Sequence, residues 1–209
     1  MAIYRLTQYT LDPAKLEAAK DVINATVAQT KDREPGTLLY IALQEQGQPT
    51  NLLHFSAYAN EAALATHIKG EPMASLFRDV LHPAMTVPVS FSQYTVVDGK
   101  LPLVDTLPIV RLARYEIRQD ALEAAQDVIR TTVAQTKDRE PETLLYIAMQ
   151  QQERPTSFVH VSAYADEAAL ATHIKGEPMA SLFRDVLHPA MTVPATFVQY
   201  NVLAAKLHQ

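Results

Sequence analysis

The stretch TLLYIALQEQ (Thr37–Gln46) is apolar on both sides. Leu38, Tyr40 and Ala42 alternate with Leu39, Ile41 and Leu43, so a strand here turns water-avoiding side chains to both of its faces. A sheet with helices along one side only has a second face that is wet and polar. This strand expects both faces to be covered. Its flanks supply the plan. GQPT (Gly47–Thr50) is a short polar turn into a second strand, NLLHFSAYA (Asn51–Ala59). Ahead of both, IYRLTQYTL (Ile3–Leu11) has strand composition and length, and a helix follows from about Pro13 to Asp32. Leu16, Ala19, Ile23 and Val27 share one face of that helix. Asp12–Pro13 offers a cap and a first-turn proline, and Glu34–Pro35 ends it. A second helix starts at Asn60, breaks at Gly70, restarts at Pro72 and stops at His82–Pro83. SFSQYTVV (Ser90–Val97) closes the unit. The order βαββαβ is the split βαβ, or ferredoxin-like, plan: an antiparallel sheet with helices on one face.

The whole plan then recurs. Residues 109–203 laid on 3–97 agree at 68 of 95 positions without insertion or deletion, and EAALATHIKGEPMASLFRDVLHPAMTVP is identical at Glu61–Pro88 and Glu167–Pro194. A repeat this long is a small domain rather than a solenoid unit. The expected organisation is one domain over 1–98, a linker over 99–108 containing two prolines, and a second domain over 109–205. The second copy starts its first helix differently, with Asp120 and Glu123 in capping-box spacing. The cover needed by the two-sided strand is the other copy. The predicted fold class is α+β: two ferredoxin-like βαββαβ repeats whose antiparallel sheets pack as a pseudo-dimeric α+β barrel. Two independent beads on a linker would leave Leu39, Ile41 and Leu43 exposed.

Composition removes several functions. The net charge of −5 divides evenly, with 8 basic and 10 acidic residues in 1–104 against 10 and 13 in 105–209. No basic face is implied, so neither nucleic acid nor an anionic membrane is an expected partner. There is no cysteine, which excludes disulfides, thiolate metal sites and Cys nucleophiles. No apolar run approaches the roughly 18–20 residues of a membrane span. MAIYRLTQYTLDP lacks the marks of a signal peptide, so a cytoplasmic protein is expected. His54, His67 and His82 have no HxxxH or HExxH spacing. Glycine-rich phosphate loops and GxSxG turns are missing too, so no metal or cofactor is expected.

Chemistry has few places to sit. On the third strand His54, Ser56 and Tyr58 point one way, as do His160, Ser162 and Tyr164 in the second copy. Such a row either lines a cavity or is a satisfied polar line under the helices. His67 and His173 lean toward the apolar side of the second helix, either as core histidines with a partner or as functional bases. Arg78 and Arg184 either pair with the neighbouring Asp79 and Asp185 or hold an anion. His82 suits a helix end and reads as structural.

REPGTLLYIALQEQ followed by NLLHFSAYANEAALATHIKGEPM resembles the antibiotic biosynthesis monooxygenase family, with its E-x-G-x-L-x-Y run, short turn and E-A-x-x-x-H block. The resemblance implies a sheet-to-sheet dimer, here fused into one chain, and oxygenation without metal, flavin or haem. An electron-rich phenol, hydroquinone or anthrone is deprotonated and its anion reduces O2. The positions that line the family's aromatic-polyketide pockets are occupied here by His54, Tyr58, Leu64 and Arg78, and by His160, Tyr164, Leu170 and Arg184. The haem-degrading branch relies on a Trp and a first-strand Asn, and this chain has neither. A second histidine common in relatives is replaced by Pro72. The expected function is cofactor-independent monooxygenation of a small phenolic or quinol compound. His54 and His160 are the expected bases, with Tyr58, Tyr164, Arg78 and Arg184 on the oxyanion and His67 and His173 as alternative bases. An isomerase of a small hydroxylated carbonyl compound, or a non-enzymatic ligand-binding barrel, are the alternatives.

Overall fold

The computed structural model describes residues 2–71 and 73–207. The first repeat consists of β1 (Ile3–Leu11), α1 (Leu16–Arg33), β2 (Thr37–Glu45), β3 (Asn51–Tyr58), α2 (Glu61–Lys69), α3 (Met73–Leu76) and β4 (Met85–Lys100). The second consists of β5 (Ile109–Ile117), α4 (Leu122–Arg139), β6 (Thr143–Gln151), β7 (Ser157–Tyr164), α5 (Glu167–Lys175), α6 (Met179–Leu182) and β8 (Met191–Lys206). No helix among the described residues is long and apolar enough to cross a membrane.

Local chemistry explains most boundaries. A 3-10 turn at Pro13–Lys15 precedes α1, and the Asp12 carboxylate accepts from the Ala14 amide at 2.9 Å. The capping box expected at Asp120 and Glu123 does not form. Asp120 lies inside the corresponding 3-10 turn, two residues past its N-cap Arg118 and one before the helix N-cap Ala121, and its carboxylate takes Arg118 Nε at 3.2 Å instead. Asn60 and Asp166 cap α2 and α5, accepting from the Ala63 and Ala169 amides at 3.0 and 2.8 Å. Gly70 is the extended C-cap of α2, where a Cβ would stand 2.8 Å from the Thr66 carbonyl oxygen.

The restart expected at Pro72 lies outside the described residues; in the second repeat Pro178 is the N-cap of α6. The stop expected at His82–Pro83 comes later. The chain passes through a π-helical turn at Phe77–Leu81 and stays helical over His82–Ala84. That turn shifts the hydrogen-bond register, with the His82 amide bonding the Phe77 carbonyl five residues back, where Pro83 has no donor to offer.

The largest departure is in the last strands. β4 was expected over Ser90–Val97 but has 16 residues, and β8 matches it. Tyr94–Lys100 of β4 pairs antiparallel with β6 of the second repeat, Tyr94 opposite Gln151 and Lys100 opposite Tyr146. The compact units therefore exchange strand ends. One holds the chain up to Gln93 together with the residues from Asn201 onward, and the other is Tyr94–Tyr200. The hydrogen-bonded order β1-β3-β2-β8-β5-β7-β6-β4 closes into a barrel, so the fold is the expected α+β barrel of two βαββαβ repeats. The two-bead alternative falls with it.

In the first unit α1 buries Ala19, Ile23 and Val27 against Tyr9, Tyr40 and Leu52, and Leu203 and Ala204 from β8 pack on the same cluster. Each large apolar side chain so buried contributes about 1.5–3 kcal/mol. Leu39, Ile41 and Leu43, on the opposite face of β2, are no more than 2% exposed. Closure gives the sheet an inside, which is where a strand apolar on both faces belongs.

Candidate active site

Each unit has a cavity walled by its first three strands, its long helix, its second helix and its π turn. The first has a volume of about 340 Å³ and the second about 210 Å³. The β3 row lines the first cavity through His54, Ser56 and Tyr58, and Arg5, Thr7 and Tyr9 of β1 line it beside them. Register explains this, because Thr7 lies opposite His54 and Arg5 opposite Ser56. Residues two apart on paired strands share one face.

His54 is the most confined of these groups. Tyr9 Oη lies 2.8 Å from its Nε2 and Tyr40 Oη 2.5 Å from its Nδ1. Burial, and then the neighbouring His67, push its pKa down to about 3. A neutral imidazole has one N–H and one lone pair, so it donates to one tyrosine and accepts from the other. The tyrosine that accepts keeps its own O–H, and both tyrosines face the cavity. His160 repeats the arrangement with Tyr115 at 2.8 Å and Tyr146 at 2.7 Å, and its pKa is likewise lowered to about 3 by burial. With both nitrogens bonded to tyrosines, His54 and His160 are not placed to take a proton from a ligand directly. Each holds two tyrosine hydroxyls at the cavity wall.

His67 is placed differently. Its Nδ1 is 2.8 Å from Glu34 Oε2, which also accepts from Thr37 Oγ1 at 2.8 Å. Burial works against the Glu34 carboxylate, but His67, Thr37 and the charge of Lys206 outweigh it and hold its pKa below the ordinary glutamate value. A carboxylate on Nδ1 fixes the proton there and leaves the lone pair on Nε2. Nε2 makes no hydrogen bond among the described residues, and His67 lines the cavity between the rings of Tyr40 and Tyr58, 5.1 and 5.2 Å away. Glu140 and His173 form the same pair at 2.7 Å in the second unit.

Arg78 and Arg184 are not brought into the cavities. Their side chains are 66% exposed and pair with Asp79 and Asp185 at 2.7 and 2.8 Å. The cavity cation is Arg5, whose guanidinium sits 4.0 Å over the Phe91 ring and whose buried Nε has no partner among the described residues. Arg111 stacks over Phe197 at 4.3 Å. Burial raises the Tyr58 hydroxyl to about 12, against the pull of Ser56 and Arg5, so it stays a neutral donor. Thr26 Oγ1, also buried and without a partner among the described residues, belongs to a residue lining the same cavity. Among the described residues no group of three or more His, Asp or Glu side chains is gathered to hold a metal ion.

Arg5, Thr26, Glu34, Tyr9 and Tyr40 were not singled out in the sequence, although a signal existed. Outside the identical 28 residues the copies agree at 40 of 67 positions, yet of the ten positions there that line the first cavity only Thr7, an alanine at 113, differs. The two cavities therefore carry the same chemical groups apart from the Thr7 hydroxyl, which the second lacks.

The profile of the antibiotic biosynthesis monooxygenase family matches the chain twice, over residues 2–78 and 108–184. Among solved structures, the chain is similar to a candidate monooxygenase from Lactobacillus acidophilus, with TM-score 0.88 and 14% identity over 99% of this chain and 96% of that one. A candidate monooxygenase from Fusobacterium nucleatum gives TM-score 0.90 and 14% identity over 99% and 94%. An anthrone oxidase-like protein gives 0.64 and 12% over 98% and 92%. At these identities the likeness is one of fold. No curated protein matches the sequence. Because the two profile matches together span well over half of the chain, and the barrel is built from the two matched repeats, this protein belongs to the antibiotic biosynthesis monooxygenase family as a tandem of two such domains.

Proposed function

We propose that the protein is a monooxygenase of small electron-rich phenols, quinols or anthrones, working without a cofactor and with one site in each repeat. The observation that carries this reading is the Glu34–His67 pair, whose free Nε2 belongs to a histidine lining the same cavity as Arg5. Nε2 removes the acidic proton of the substrate, and Glu34 stabilises the imidazolium. Arg5 and Tyr58 hold the resulting oxyanion in a mostly apolar cavity, where such contacts are stronger than in water.

The conjugated anion gives one electron to O2, and the superoxide and substrate radical combine in a C–O bond. The imidazolium returns its proton to the peroxide. Loss of water across the C–H and O–O bonds then leaves a carbonyl. For an anthrone the sum is one O2 consumed, one keto oxygen gained and one water released. The base role expected of His54 passes to His67, and the anion role expected of Arg78 passes to Arg5.

The test is oxygen consumption with a panel of anthrones and hydroquinones, with 18O2 to follow the oxygen into product. Label from O2 in the product is expected. Turnover that persists without oxygen would replace this reading with an isomerase, and no turnover across the panel with no ligand bound would remove it. Replacing Arg5 and Arg111 by Met is expected to lower kcat/KM by about 10²-fold or more, the scale of losing one oxyanion donor.

A further inference from the structure

The cavity groups come from one repeat, but what stands behind them does not. α1 ends at Arg33, where the Glu34 amide closes the last turn on the Thr30 carbonyl and the Glu34 carbonyl accepts from the Thr37 amide. Lys206, at the end of β8 in the second repeat, donates to the Glu34 carbonyl at 2.7 Å and lies 3.3 Å from that of Thr30. Its residue is 2% exposed. An ammonium that deeply buried is costly unless it meets an opposite charge or several acceptors. Lys206 meets two carbonyl acceptors, and its charge also favours the Glu34 carboxylate that holds His67. In the second unit Lys100, at the end of β4 in the first repeat, donates to the Glu140 carbonyl at 2.7 Å. The three residues before each lysine, Val97–Asp98–Gly99 and Leu203–Ala204–Ala205, all differ, while the lysine is the same.

We propose that each repeat supplies the positioning lysine for the other repeat's base: Lys206 for Glu34 and His67, and Lys100 for Glu140 and His173. This rests on the proposed role of the histidines as bases. The lysine anchors the main chain of the glutamate from below while its charge favours the carboxylate. It touches no substrate. Exchange of strand ends is thus what completes each site, and neither copy holds a finished base by itself. The groups facing Glu34 are His67 from α2, Thr37 and Tyr40 from β2, Tyr58 from β3 and Lys206 from β8. Only Lys206 among them is a fixed cation, so its loss lets the Glu34 pKa rise toward its ordinary value and removes a positive charge from behind His67. Lys100 also feels Glu142, where the first repeat has Gly36, so the second lysine has two carboxylates that favour its charged form.

The test is histidine-selective NMR on the whole chain, with His67 and His173 assigned by substitution and titrated with pH. Lys206→Met is expected to move the His67 midpoint up and leave His173 in place. Lys100→Met should do the reverse. Lys206→Gln keeps a donor for the carbonyls and loses the charge, so it gives the same shift should the Met variant not fold. An unmoved His67, or a shift at His173 instead, overturns the proposal. These readings need no substrate, so they stand apart from the test of oxygenation. Where turnover is measured, Lys206→Met in a His173→Ala background is expected to lower kcat by about tenfold with little change in KM, as for a mispositioned group. Lys206→Arg should recover part of it, and a loss confined to KM counts against the assignment.

Discussion

Replacing His67 and His173 together by alanine is expected to lower kcat by about 10²–10⁴-fold, the scale of losing a positioned general base. The single variants should each lose one site and keep the other. The reason is local. Among the described ionisable groups that line the first cavity, only His67 combines a ring nitrogen without a hydrogen bond with a carboxylate on its other nitrogen, at 2.8 Å. His54 is fully engaged by Tyr9 and Tyr40, and burial keeps those hydroxyls above the ordinary tyrosine value. Oxygen-uptake rates measured against pH on the wild type and the double variant check the point. Unchanged rates in His67→Ala plus His173→Ala would remove the pair from the mechanism. A His54→Asn plus His160→Asn variant should act less severely, because it disturbs the orientation of the tyrosines and leaves the base intact.

The same His54→Asn plus His160→Asn variant is the second large effect, on stability rather than rate. His54 and His160 titrate at about 3 in the fold against an ordinary 6.5. Between those values the unfolded chain binds two protons that the folded chain refuses, so stability is complete above pH 6.5 and drains as pH falls toward 3. With two such groups the slope approaches about 3 kcal/mol per pH unit, a large share of a domain's stability. Glu34 and Glu140 act in the same direction lower down, since a carboxylate held below its ordinary value of 4.5 stabilises above that pH and ceases to as it is protonated. Urea unfolding at pH 7.5, 6.5, 5.5 and 4.5 should show stability falling steeply in acid, with the double asparagine variant much flatter between 6.5 and 4.5. Parallel curves would mean that the buried imidazoles gain protons without opening the fold. Asparagine keeps a donor and an acceptor for the two tyrosines and cannot be protonated in this range.

These two effects divide along what could be read before folding. The two faces of TLLYIALQEQ, the βαββαβ order and the repeat spacing of 106 residues were enough for the barrel, because burial patterns and turn residues act over neighbours in sequence. The β3 row His54, Ser56, Tyr58 was visible for the same reason, since alternation alone puts those side chains on one face. What the row met was not visible. Whether His54 takes a ligand or two tyrosines depends on Tyr9, 45 residues away, and on Tyr40 across a hairpin. Arg78 and Arg5 are alike as letters; only packing makes one a solvated ion pair with Asp79 and the other a guanidinium against Phe91.

The sequence by itself determined that this chain is a tandem of like domains with a sheet buried on both faces. Hydrophobic periodicity is a local property, set by residues that are neighbours in sequence. Only the tertiary structure decided which groups share a cavity and which histidine has its carboxylate. It also decided that Lys206 and Lys100 end up beneath the other repeat's glutamate. Those contacts span 33 residues for Glu34–His67 and 172 for Glu34–Lys206. No pattern of neighbours encodes a meeting at that range; strand pairing and barrel closure do.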